Sequence, residues 1–286
     1  MGITIKTPKL EMEIRLVSID SLYIHEETIP DALEQLKQEL GAEQVLRHPM
    51  IVDSKTLVVL DGMHRVAALR DLGCRLAPVC LVDYQNASIQ LFAWYREFEG
   101  KCPLPVFANS LSEQLSLELR KTSTDDAIAL VNSRSAIAAL ALGNQAFLLT
   151  MSKYKPIKEV YDQISRIESF AKQSGYQIHY STKLDALKNI RNKIRTGLIV
   201  PALSKEEVIE CALNQELFTQ KATRHVVPAR PLFVNVPLPW LKSIDINKAN
   251  QKLVDYLNKK QIVEQDPGII INGRRYEERA YIFTDP

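Results

Sequence analysis

Three short segments carry residue types whose spacing suits phosphoryl chemistry. The first runs from Leu60 to Leu69, where an apolar run meets Asp61-Gly62 and an amphipathic pattern begins at once. A strand feeding a helix amino terminus presents backbone N–H groups and the positive end of the helix dipole, an arrangement that receives anions. Gly62 admits close approach of a ligand, and Met63, His64 and Arg65 fill the first turn. Arg65 is able to hold phosphate oxygens bidentately, while Asp61 either caps the helix or holds a cation such as Mg²⁺. A plain capped helix with two solvated polar residues would show the same pattern. The placement at a strand's carboxyl end, where α/β folds bind ligands, favours the site.

The second segment, Tyr23 to Thr28, contains His25, Glu26 and Glu27 in a loop between a strand and a helix. A carboxylate there can accept the proton of a hydroxyl substrate, although solvated acids near a helix start look identical. The third, Lys221 to His225 with Arg230 following, sets cations and a hydroxyl before a proline-punctuated apolar run, suited to a carboxylate or phosphate. A solvated charge run is the competing reading.

The elements that must position these segments follow from periodicity. Residues 11–17 alternate as a half-buried strand, and 31–40 form a helix opened by Pro30 and closed near Gly41. Two short strands, 49–53 and 56–60, a helix over 62–72 and a strand over 77–82 complete an α+β unit ending near residue 100. Beyond it, helical patterns at 111–121, 124–132, 155–173, 182–195 and 204–217 dominate. Strands are expected at 176–180, 232–236 and 276–283, and a helix at 246–259. The chain thus reads as mixed α/β, with domains at 1–100 and 101–286.

Composition removes other classes. With 36 basic against 34 acidic residues, a net charge of +2 argues against nucleic acid as the main partner. Ten glycines in 286 residues leave few glycine-rich phosphate loops, and the zinc-hydrolase, Rossmann and P-loop signatures are absent. Four cysteines without a C-x-x-C, no apolar run long enough to span a bilayer and an acidic amino-terminal stretch suggest a cytoplasmic protein.

Together and in this order, the segments resemble the free L-serine kinases of the ParB/sulfiredoxin-like superfamily. The resemblance rests on His25-Glu26, Leu46 to Asp53, Leu60 to Arg65, Trp94, Thr223 to His225 and Asn235 to Leu238. It implies a ParB/sulfiredoxin-like amino-terminal domain and a larger, helix-rich α/β carboxyl-terminal domain. It further implies transfer from ADP or ATP, with Mg²⁺, to the hydroxyl of free L-serine, a step of amino-acid biosynthesis such as the route to cysteine. By that resemblance Glu26 is the base and Asp61 the second catalytic acid, near Mg²⁺. Gly62, Met63, His64 and Arg65 would cradle the nucleotide phosphates. Trp94, Lys221, Thr223 and His225 would line the serine pocket.

One departure stands out. Met63 takes the place of a histidine in the motif, removing one phosphate contact. It also falls where sulfiredoxins carry their catalytic cysteine, so thiolate chemistry by that route is excluded. Two rivals accompany the kinase reading. One is a ParB-like nucleotide-dependent DNA-binding protein or transcription factor, with the basic amphipathic stretch 183–195 as its DNA-facing helix. The other is a nuclease using Glu26 and Asp61.

Overall fold

The computed structural model describes residues 2–100, 102–151, 153, 155–182, 195–271 and 273–286. The chain opens with β1 (Ile3–Lys6) and β2 (Glu11–Ser18), continues through α1 (Pro30–Glu43), β3 (Val45–Leu46), β4 (Met50–Asp53) and β5 (Val59–Asp61), and reaches α2 (Met63–Asp71) and β6 (Leu76–Val82). Five strands form one sheet in the order β1-β2-β6-β4-β5. Its central strands β4 and β6 are parallel and buried at every position, which is why they read as unbroken apolar runs rather than alternating ones.

After β7 (Gln90–Phe92) the chain forms β8 (Tyr95–Glu99), α3 (Leu104–Leu115), β9 (Glu118–Ser123), α4 (Thr124–Asn132), β10 (Ala138–Leu142), β11 (Gln145–Thr150), α5 (Ile157–Gln173), β12 (Gln177–Ser181) and β13 (Arg195–Ile199). Six of these strands make a second sheet, ordered β12-β8-β13-β10-β11-β9. Alanines at 127, 139, 141 and 146 cluster with Val131, Leu148 and Ile199, so α4 approaches the sheet through small side chains. Residues 225–286 add a three-stranded sheet in which Ala229–Leu232 runs parallel to Arg279–Thr284, which pairs antiparallel with Gln261–Gln265. The helix Ile246–Leu257 lies on β2. Its buried Asn250 brackets Leu16, accepting from the N–H at 2.8 Å and donating to the carbonyl at 3.0 Å. The side-chain amide thereby replaces a neighbouring strand where β1 has ended.

Two compact units result: residues 1–90, 208–217 and 225–286 form one, and 91–207 with 218–224 form the other. A single cut near residue 100 does not describe this division. The carboxyl-terminal segment belongs with the first unit because Asn250 and the pairing of Val236–Pro237 with β3 tie it there.

The mixed α/β expectation holds, with three local corrections. The helix expected over 111–121 is α3 followed by β9, because Ser116 turns left-handed at φ 52° and ends it. The hairpin of β10 and β11 matches no element expected from the sequence, because both strands are apolar on both faces and lack a period. Its one local signal is the two-residue turn Gly143-Asn144. The strand expected over 232–236 lies instead at Ala229–Leu232, since Phe233 and Asn235 both adopt positive φ. The stretch 183–194, most of the expected basic helix, lies outside the described residues.

Candidate functional site

In the first unit, β5 delivers Asp61 to the turn and Gly62 turns the chain at φ 110° into α2. No side chain caps this helix, and its first internal bond runs from Val66 N–H to the Gly62 carbonyl at 3.0 Å. The preceding N–H groups therefore point out of the helix end, as anion sites require. A Cβ on Gly62 would stand 2.7 Å from Met50 Cγ and 2.8 Å from Arg65 Nη2, so the turn has no room for a side chain.

Arg65 is already engaged. Its Nη1 donates to the carbonyls of His48 and Pro49 at 2.9 and 2.8 Å, and its Nη2 lies 3.4 Å from Asp61 Oδ1. It thus pins β4's approach to the turn, and only its remaining N–H directions can face a ligand. Asp61 Oδ2 accepts from Arg230 Nη1, whose Nε in turn donates to Glu278 at 2.5 Å. Enclosure by protein atoms opposes ionisation of Asp61, but Arg230, Arg65 and Arg274 outweigh it and hold the carboxyl far below its ordinary range. Burial, reinforced by the same cations, pushes His48 down to about 4. His48 Nδ1 accepts the Phe233 N–H at 3.1 Å, which fits a neutral ring.

The loop carrying Glu26 runs alongside this turn. Tyr23 bridges Val58 in parallel, donating to the Leu57 carbonyl at 3.1 Å and accepting from the Val59 N–H at 2.8 Å. Six residues on, the Ile29 N–H donates to His64 Nε2 at 2.9 Å. Tyr23 and Ile29 are thus both tied to the 57–64 segment, and the loop carrying Glu26 runs between these two ties. His64 accepts with Nε2, which puts its ring proton on Nδ1. Glu26 is buried, and burial pushes the neighbouring His25 down to about 4 against a raising hydrogen bond to the Val59 backbone. The His25 ring meets His225 edge-on at 5.5 Å, and Tyr84 Oη lies 2.7 Å from His225 Nε2. Tyr84 is itself held through its N–H by Asp53 at 3.0 Å.

The second unit contains the other expected residues. Trp94 Nε1 donates to the Thr223 carbonyl at 2.9 Å, and Lys221 Nζ stands 4.8 Å above the indole ring. Lys221 adopts φ 61°, which turns the segment back over Trp94. Thr223 is buried.

The expected residues are therefore gathered as two sets. Glu26, Asp61, Gly62, Met63, His64, Arg65 and His225 belong to the first unit; Trp94, Lys221 and Thr223 belong to the second. Sequence reasoning noted Arg230 only as a nearby cation, and it passed over Tyr84 and Glu278. Arg230 lies 169 residues from Asp61, and no local pattern reports such a pairing.

An uncapped helix start flanked by Arg65 and Arg230, at the end of a strand in a mixed α/β fold, has the form of an anion-receiving turn. No family model matches the chain, but curated relatives do. An ATP-dependent L-serine kinase of Staphylothermus marinus is 30% identical over 261 residues, spanning 84% of this chain and 98% of the relative. The ATP-dependent L-serine kinase SbnI of Staphylococcus aureus is 31% identical over 276 residues, 94% of this chain and 96% of its own. The ADP-dependent L-serine kinase SerK of Thermococcus kodakarensis is 27% identical, covering 84% and 100%. The chain belongs to this family of nucleotide-dependent L-serine kinases. Solved structures agree at the level of the fold. A free serine kinase in complex with AMP superposes with a TM-score of 0.64 at 24% identity over 80% of this chain and 93% of that one. Truncated SbnI from Staphylococcus aureus gives 0.69 at 18% identity over 86% and 95%.

Proposed function

We propose that this protein transfers a phosphoryl group from ADP or ATP to the hydroxyl of free L-serine, yielding O-phospho-L-serine. The observation that supports the site assignment is the pair of ties, Tyr23 to Val58 and Ile29 to His64, that hold the loop carrying Glu26 beside the Asp61 turn. In this reading serine Oγ attacks the terminal phosphorus as its proton passes to Glu26. The bond to the leaving phosphate breaks, and the N–H groups at the start of α2 take up the charge that develops. Gly62 supplies the positive φ that starts the turn, while Met63, His64 and Arg65 shape it, with His64 also pinning the Glu26 loop. By the resemblance to these kinases, Trp94, Lys221 and Thr223, gathered in the second unit, are assigned to serine, and in the first unit Tyr84 orients His225.

Mg²⁺ enters this reading with the nucleotide. Both Asp61 oxygens face guanidinium groups, and no group of three His, Cys, Asp or Glu able to hold a metal occurs among the described residues. That donor set does not fit a resident ion on Asp61, so its part here is to anchor Arg230 and Arg65 rather than to bind metal. A nuclease built on Glu26 and Asp61 loses support for the same reason. The family relationship favours the kinase over a DNA-binding function. Among the described residues no helix is long and apolar enough to cross a membrane.

The test is direct. Purified protein with L-serine, Mg²⁺ and ADP or ATP should form O-phospho-L-serine, detected by mass spectrometry. Glu26→Gln should lower turnover by about 10²–10⁴ while nucleotide affinity stays within a few-fold. Folded protein that makes no phosphoserine with either donor would refute the activity. Full turnover by the Gln variant would refute the role of Glu26.

A further inference from the structure

Arg96, in the second unit, is an arginine with no exposed surface, and its Nε donates to Glu168 of α5 at 2.6 Å. Its other N–H groups go to main-chain oxygens. Nη1 donates to the Trp94 carbonyl at 2.6 Å, and Nη2 reaches the Gln220 carbonyl at 3.5 Å. The guanidinium also stands 5.6 Å from the Tyr180 ring centroid, and Tyr180 Oη donates to the second Glu168 oxygen at 2.9 Å. One buried cation thus ties together two chain segments 124 residues apart. These are the segments that carry Trp94 on one side and Lys221 and Thr223 on the other.

Burying an ion pair adds little net stability, because desolvation offsets the Coulomb attraction. What the pair does provide is geometry. A guanidinium offers a planar fork of donors, so Arg96 can hold a carboxylate and two carbonyls at fixed angles, where a lysine would present a point charge. The Trp94 indole then closes onto the Thr223 carbonyl at 2.9 Å, with Lys221 above the ring. We infer that Arg96 and Glu168 are positioning residues that set the serine pocket, holding the Trp94 segment in register with the 220–223 segment. This rests on assigning Trp94, Lys221 and Thr223 to serine.

The experiment uses the full chain carrying Trp240→Phe, which leaves Trp94 as its one tryptophan. Arg96→Met with Glu168→Met replaces the ion pair by apolar side chains of similar length, a change that preserves folding in other buried pairs. The serine KM should rise about 10-fold or more while the ADP KM stays within about twofold, a split that general loosening would not produce. Trp94 emission should shift to the red and its quenching by acrylamide should increase. Arg96→Lys should not restore the serine KM. Tyr180→Phe, which removes one bond to Glu168, should raise it about 2–5-fold and provides the test if the double variant fails to fold. An unchanged serine KM with unchanged Trp94 emission, in any of these variants that folds, overturns the inference. Should the parent chain make no phosphoserine, the kinase reading fails by itself, and the Trp94 emission still decides whether Arg96 orders this segment.

Discussion

Replacing Asp61 by Asn isolates the charge at the centre of the arginine cluster. Asn keeps the shape and one acceptor, but turns an NH₂ group toward a guanidinium that now faces an oxygen. Removing one partner of a fully buried pair costs about 3–5 kcal/mol. Two features reduce this here. Arg230 retains Glu278 at 2.5 Å and Arg65 retains the two carbonyls of residues 48 and 49, so neither cation is stranded. The Asp61 side chain is also 33% exposed, so water screens part of the loss. A cost of about 1–3 kcal/mol follows, or a fall in Tm of roughly 2–12 °C at 2–4 °C per kcal/mol. The pH dependence is specific. A carboxyl whose folded pKa lies far below its unfolded value of about 3.9 contributes fully above that value and loses its contribution as pH falls through the folded pKa. Calorimetry of both proteins from pH 8 to pH 3 should therefore show a constant Tm gap down to about pH 5, closing only in stronger acid. A gap below about 1 °C at pH 7, or one that closes between pH 8 and pH 5, would refute the reasoning.

Two further substitutions probe the same unit. Gly62→Ala should cost about 1–3 kcal/mol from the positive φ and displace Met50 or Arg65, raising the ADP Kd about 10-fold by titration calorimetry; unchanged Tm and Kd would contradict the crowding at this turn. Burial holds His25 at about 4 against an ordinary 6.5, so the neutral ring's contribution is intact above pH 6.5 and lost as pH falls toward 4, of order 3 kcal/mol. Denaturant titrations at pH 7, 5.5 and 4 should show that loss, with a shallower slope in His25→Gln; equal slopes would show that His25 does not titrate as described.

Much of the first unit was legible because its signals are local. Pro30 at the start of α1 and the abrupt change from VVL to an amphipathic pattern at Gly62 mark boundaries by fixed backbone preferences. The resemblance to free serine kinases rested on those short runs too. The hairpin of β10 and β11 was not legible, since strands buried on both faces look like any apolar run. Nor was the division into units, which depends on where residues 225–286 pair rather than on any linker composition.

Sequence alone determined which chemistry is available: a carboxylate at Glu26, a single glycine before a helix start, and cations near 221–230 in a chain poor in glycine. Tertiary structure decided what those groups are free to do. Arg65, read as a phosphate ligand, holds the carbonyls of His48 and Pro49, and Asp61, read as a metal ligand, is held by two guanidinium groups. Charge partners are chosen by three-dimensional proximity, and residue types in a line do not encode it.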